Sequence, residues 1–265
     1  MMNLVLRELY ANKKSLLIWG ASMAAFVAMM FVEFAAYYKN PEMLAVIEAM
    51  PRELLAAFGM LEANLTTVSG YLSMSMVFIN VALSVYAAML GHNLVAKEER
   101  DKTAGFLMTL PLTRARVVTG KLLAGMLCTA ILLAIVAASI LGMLLPYEVE
   151  PYFSAFFARV IVTSWVIMVM FLALGAFLGA LTRRHKLASG IGMGLVFALY
   201  IASVVSGLTE QMRFLRYISP FEYFEAAGLL RDRAIEPFFL LLSLLIVVVL
   251  VVGTYACYGR RDLYV

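Results

Sequence analysis

Apolar residues fall along this chain in six long runs, and the charged residues are confined almost wholly to the stretches between them. The runs cover residues 16–38, 66–91, 122–145, 160–181, 187–208 and 238–258, and Glu33 is the one formally charged side chain inside them. A hydrocarbon core about 30 Å thick takes about 20 helical residues to cross. Each run therefore predicts a membrane-spanning helix, and the fold class read from the pattern is an all-α membrane protein with six spans in a single domain over residues 1–265. Alternation of period two in segments of about ten residues, the mark of an outer-membrane barrel, is absent from the sequence. The first run follows Arg7, Lys13 and Lys14 as the apolar region of a signal peptide would, but it is too long and has no small-residue cleavage site before Pro41, so it is expected to be retained.

The segments between the runs have patterns of their own. Residues Asn3–Ser15 set Leu4, Val5, Leu6, Leu9 and Tyr10 against Arg7, Glu8, Asn12, Lys13 and Lys14, which predicts a short amphipathic helix lying along the membrane surface. After the first span, residues 42–50 are periodic in apolar positions, and Pro51 opens a second short stretch closed by Phe58 and Gly59, a proline-first, glycine-last arrangement suited to a surface helix. Residues 91–121 mix charge with Phe106, Leu107, Met108 and Leu110, too charged for a span and too apolar for a purely solvated tether. That stretch predicts a helix that docks onto a partner or rests in the lipid interface. The last long connection carries Tyr217, Phe221, Tyr223 and Phe224, aromatics expected at headgroup level.

Composition sharpens the picture. The chain is 64% hydrophobic and 14% charged, with a mean hydropathy of +0.92, far from the roughly 45–50% apolar usage of soluble domains. Fourteen Lys and Arg accompany the N-terminus, residues 91–121, residues 182–186 and the C-terminus, with five acidic residues; the other side of the spans has seven basic and eleven acidic. The positive-inside rule places both termini in the cytoplasm. A pI near 9.0 raises nucleic acid as a partner, but the basic excess sits in short loops flanking spans, where anionic lipid attracts it, so no nucleic-acid role is expected.

Little in the spans points to chemistry. Glu33 lies seventeen residues past Leu16, about 25 Å along a helix, near the far interface, where a carboxylate either has a structural role or lines a substrate pathway. Asn80, mid-way along the second span, is expected as an interhelical hydrogen-bond partner, with pathway lining as the alternative. Gly175 and Gly179, like Gly190 and Gly194, are spaced four apart and predict close helix packing. The run Gly190, Gly192, Gly194 lacks the spacing of a nucleotide loop, and no G-x-x-x-x-G-K-[ST] occurs anywhere, since Gly120-Lys121 is followed by Leu122. Eighteen methionines raise soft-metal export, but Met also serves as an adaptable hydrophobe. His92 and His185 have no H-E-x-x-H or neighbouring ligand set, and Cys128 and Cys257 fall in apolar runs, so no metal, disulfide or catalytic residue is expected.

From Glu98-Glu99-Arg100-Asp101-Lys102-Thr103 through Phe106-Leu107-Met108-Thr109-Leu110-Pro111 and Arg114 to Gly120-Lys121-Leu122-Leu123, the sequence resembles the permease subunits of ABC-2 type exporters. Residues 51–59 with Gly70-Tyr71-Leu72, and Ser219-Pro220-Phe221-Glu222-Tyr223-Phe224, extend the resemblance over nearly the whole chain; Lys102-Thr103 stands where many relatives have Gly-Thr. The resemblance implies that residues 98–111 include a coupling helix for an ABC ATPase, with Glu98, Glu99, Arg100, Thr103, Phe106, Leu110, Pro111 and Arg114 as coupling residues and Arg183 and Arg184 as a second contact. It implies that residues 3–15, with Arg7 and Glu8, form an elbow helix, and that short extracellular helices join the spans. It also implies two permeases, as a homodimer or with a similar partner, served by two ATPase subunits that bind ATP and Mg in place of this chain. The expected protein is a multi-pass permease of a prokaryotic cell membrane that exports a lipophilic, peptide or drug-like substrate. An ion-coupled secondary transporter or ion exporter is the alternative, and would show discontinuous helices or buried ionisable groups near the midplane, which the sequence does not reveal. An intramembrane enzyme would need a constellation of reactive side chains at membrane depth, also not found.

Overall fold

The computed structural model describes residues 2–51, 55, 64–100, 113–182, 185–208 and 210–260. Among these, six helices are long and apolar enough to cross a membrane. They are α1 (Met2–Tyr37), α3 (Val68–Arg100), α4 (Arg114–Leu144), α5 (Phe153–Leu181), α6 (His185–Leu208) and α9 (Pro237–Arg260). Short helices fill two connections: α2 (Pro41–Glu48) after the first span, and a 3-10 helix (Glu210–Tyr217), α7 (Pro220–Tyr223) and α8 (Ala226–Asp232) between α6 and α9. The expected six-span all-α fold is what the chain adopts.

The spans run longer than their apolar cores because nothing in the flanking sequence stops a helix. The elbow expected over residues 3–15 is corrected on this point: α1 continues unbroken from Met2 to Tyr37. No Gly or Pro interrupts Asn3–Trp19, and Asn12 Nδ2 donates to Glu8 O at 2.9 Å within the same helix. The buried positions Val5, Glu8, Gly20, Met23, Val27, Phe31 and Phe34 form one stripe, and helical spacing turns that stripe toward α4. Leu4 covers Gly120, and Ile135 Cδ1 would lie 3.0 Å from a Cβ at Gly20, so α1 and α4 run parallel. Asn40 caps α2, its side chain accepting from Glu42 N at 3.0 Å, as the proline at the helix start anticipates. Of the second predicted surface helix only Pro51 and Leu55 are described, joined by the Leu55 N to Pro51 O bond at 3.2 Å.

The centre of the bundle is the pair α3 and α5. A Cβ at Gly175 would overlap Ala88 O, one at Gly91 would overlap Leu172 O, and one at Gly179 would lie 2.9 Å from His92 O. The pairs Ala88 with Gly175 and His92 with Gly179 advance together by one turn, so the two helices are parallel and their backbones touch. Small residues permit that approach, which dispersion and backbone packing then stabilise. Helix α9 packs on α5 where Phe177 sits over Gly253, its Cε2 2.8 Å from a Cβ built there. An aromatic cluster of Phe31, Phe34, Tyr38, Tyr71 and Tyr147 closes the end of the bundle away from the termini, Phe34 meeting Tyr71 at 4.6 Å and Tyr147 at 4.9 Å between ring centroids. This end is called the far end below, and the one carrying the start of α1 and the end of α9 the terminal end.

Candidate coupling and pathway sites

At the terminal end, three long helices converge on charged side chains. Glu8 of α1 is 1% exposed and Lys121 of α4 is 0% exposed. Lys121 Nζ donates to Leu94 O of α3 and stands 3.9 Å from Glu8 Oε1. Lys97 Nζ of α3 is 3.8 Å from Glu8 Oε2, while Arg7 donates to Glu8 Oε1 at 3.0 Å. One buried carboxylate thus meets cations from its own helix and from both helices that flank residues 101–112. Burying such charges is costly unless they are paired, and here each of the two buried charges faces an opposite one.

Arg114, at the start of α4, reaches the end of α9. Its NH1 donates to Gly259 O at 3.0 Å and approaches Tyr258 O at 3.5 Å. A guanidinium there neutralises the open carbonyls and negative dipole end of α9. One turn further along α4, Thr119 Oγ1 and Tyr255 OH share a hydrogen bond of 2.6 Å. Thr113 caps α4 by accepting from Arg116 N at 3.3 Å. Of the other expected coupling residues, Glu98, Glu99 and Arg100 lie in the last turn of α3, with side chains outside the described set. Thr103, Phe106, Leu110, Pro111, Arg183 and Arg184 fall outside the described residues altogether.

The two pathway candidates are far apart in character. Glu33 faces outward on α1 and accepts from Tyr37 OH at 3.5 Å. Asn80 is 9% exposed on α3, yet its Oδ1 accepts no hydrogen bond among the described residues. The expected interhelical bond is therefore not made by this oxygen among the described residues. Ser84, one turn along the same face, likewise has an Oγ without a partner among them.

The connection from α6 to α9 turns back into the bundle. Ser219 Oγ donates to Leu199 O at 2.8 Å, and Leu199 precedes the end of α6 at Leu208 by nine residues, about 13 Å along the helix. Phe221 reaches Phe171 of α5, 5.4 Å between centroids, and Tyr200 of α6 at 6.1 Å. Tyr223 stacks on Phe239 at 5.0 Å, and Tyr223 and Phe224 are buried, while Tyr217 and Ile218 remain exposed. Tyr223 and Phe224 therefore face the protein rather than lipid, because the chain folds inward at Ser219. Glu222 goes in with them, and burial, reinforced by the neighbouring Glu225, pushes its carboxyl up to about 7 against opposing contributions from Ser206 and Arg216. An inward-folding segment carrying a half-buried carboxyl is the feature that the sequence does not reveal.

The far end has one further acid contact. Ser69, at the start of α3, donates through Oγ to Glu150 Oε2 at 2.7 Å and through N to Oε1 at 3.5 Å, placing a carboxylate on a helix N-terminus. Lys39 and Glu148 form an exposed pair at 2.5 Å, which holds the Glu148 carboxyl below its ordinary range.

Six helices long and apolar enough to cross a membrane among the described residues define a multi-pass membrane protein. The chain belongs to the ABC-2 family of transporter proteins, whose family model matches residues 2–263. No curated protein matches the sequence. Membership makes the chain the membrane permease of an ABC transporter, a component that associates with an ABC ATPase.

Proposed function

We propose that this permease exports a lipophilic, peptide or drug-like substrate outward across a prokaryotic cell membrane, driven by a separate ABC ATPase that docks at the terminal end. The family match over nearly the full chain carries the reading. The sequence contains no P-loop, so ATP and Mg are bound in the partner ATPase. The basic excess of the terminal end makes it the cytoplasmic end, and residues 98–111 supply the coupling contact, with Arg183 and Arg184 nearby in sequence. Two permeases, each with an ATPase, complete the transporter. The open face of α6 takes the second permease: among the described residues nothing approaches a Cβ at Gly190 or Gly194 within 4 Å, and only 22% of its apolar window is buried in the chain.

The tagged chain is expected to copurify with an ABC ATPase, to hydrolyse no ATP by itself, and to do so only in the complex. Phe106→Ala or Leu110→Ala is expected to weaken that complex by about 2 kcal/mol, the cost of truncating a buried interface anchor. Robust hydrolysis by the isolated chain would overturn the division of labour. For orientation, single cysteines at the exposed positions Ala49 and Ala234 are expected to label from outside the cell, and one at Ala115 only after permeabilisation; the reverse pattern would invert the topology.

The half-buried Glu222 in its inward-folding segment favours one second reading, ion-coupled transport, because ionisable groups in such segments serve as ion sites in secondary transporters. Uptake or efflux sustained by a pH gradient in vesicles without ATP would select that reading over the first.

A further inference from the structure

Residues 101–112 connect the end of α3 to the start of α4 in sequence, and the buried charges described above lie across those two helix ends, the stems of the connection. Lys121 reaches from α4 to the Leu94 carbonyl of α3. Glu8 faces both Lys97 on α3, at 3.8 Å, and Lys121 on α4, at 3.9 Å. Elsewhere α1 meets its neighbours chiefly through apolar and aromatic contacts, with the Tyr71 hydroxyl of α3 donating to Met30 O at 2.5 Å toward the far end. Parting Glu8 from Lys121 would leave the fully buried ammonium without its counter-charge, which is costly in a buried site, whereas Arg7 stays with Glu8 on α1 and Lys97 is partly exposed.

We propose that Glu8 is a positioning residue that locks α1 to the stems of the 101–112 connection, so that α1, α3 and α4 move as one body when that connection is displaced. The consequence for transport rests on the reading that an ATPase docks there. Force applied between the stems would otherwise splay α3 from α4 and leave α1, the helix with Glu33 on its outward face, behind.

Pulsed electron paramagnetic resonance tests this directly. Spin labels are placed at Leu6→Cys on α1 and Leu123→Cys on α4, both exposed in the chain, in a background with Cys128 and Cys257 replaced by alanine. The permease is measured in lipid nanodiscs, alone and, where the ATPase copurifies, with ATP and vanadate. The parent is expected to give one narrow distance distribution that stays unchanged on trapping. The double variant Glu8→Gln, Lys121→Met removes both buried charges together, so no orphan is left to unfold the protein, and is expected to broaden the distribution and make it nucleotide-sensitive. Met23→Ala thins the apolar packing of α1 without touching the charges and is expected to stay narrow. A distribution in the double variant as narrow as the parent's, equal broadening in Met23→Ala, or a parent distance that changes on trapping would each overturn the proposal. The arm without ATPase tests the lock even if no ATPase is found, so failure of the functional reading is told apart from failure of the lock.

Discussion

Consecutive spans carry two glycine pairs of identical spacing, Gly175 with Gly179 in α5 and Gly190 with Gly194 in α6, yet they meet opposite surroundings. The first pair is filled by the backbone of α3 at Ala88 and His92; the second has open space over both glycines among the described residues. The same contrast holds for whole helices. Of the most apolar windows, 61% is buried within the chain in α3 and in α5, against 22% in α6 and 17% in α9. Small residues four apart thus mark a capacity for close approach, and only the tertiary structure decides whether the chain itself uses it. The α3 and α5 pair is the fixed frame; α6 and α9 offer their surfaces to lipid or to another subunit.

The hardest test of that contrast is Gly175→Leu. The obstructing atom is a backbone carbonyl, which cannot rotate aside as a side chain would, so α3 and α5 must separate along their length. Overpacking in a well-packed core costs about 1–3 kcal/mol, and a forced helix separation sits at or above the top of that range. Loss of monodisperse protein in detergent, or a steep fall in melting temperature, is the expected result. A variant that melts like the parent would show that the helices are not in backbone contact.

Much of this frame was legible in the sequence. Six apolar runs announce six spans because hydrocarbon leaves a chain few alternatives, and the α5 glycines announce close packing. Their partner did not, since the matching small residues Ala88 and Gly91 lie more than eighty positions away. The burial of Glu8 left a faint signal: it falls in the same helical stripe as Val5, Gly20, Met23 and Val27, where a solvated residue of an amphipathic surface helix would not. Arg114 reads as a loop cation until the end of α9 is seen beside it. The inward-folding segment was not legible. Between Ser219 and Phe224 composition fits a surface turn as well as an insertion, and only the long-range bond from Ser219 to Leu199 decides between them.

That segment, held between the frame and α6, gives the next test. The carboxyl of Glu222 moves from 4.5 to about 7 on folding, so the native state favours its protonated form. The sign follows: stability is full below pH 4.5 and declines as the pH rises through about 7, with about 3 kcal/mol lost at alkaline pH. Around it stand Glu225, which adds to the upward shift, and Ser206 and Arg216, which oppose it; Arg216 also pairs with Glu236 at 3.6 Å. Glu222→Gln is expected to abolish this slope, melting above the parent at pH 8 and close to it near pH 4.5. Parallel pH profiles for the two proteins would remove the Glu222 carboxyl from the account of this segment.

The smallest effect on the chain itself is expected on the open side of the comparison, at Gly194→Leu. No described atom lies within 4 Å of a Cβ there, so the new side chain displaces nothing within the subunit. Leucine is also the better helix former, by somewhat under about 1 kcal/mol relative to glycine, so the isolated permease should melt within about 1 kcal/mol of the parent or slightly above it. Assembly is where the substitution should register. If a second permease packs on this face, the leucine holds the two backbones apart, and the shape match that small residues allow is lost. Crosslinking in native membranes and particle mass in nanodiscs would read this out: an unchanged melting curve with a loss of the permease pair sharpens the contrast between the α5 and α6 glycines. Unchanged assembly would assign the α6 face to lipid, and a large fall in melting temperature would show that the face is covered within the chain after all.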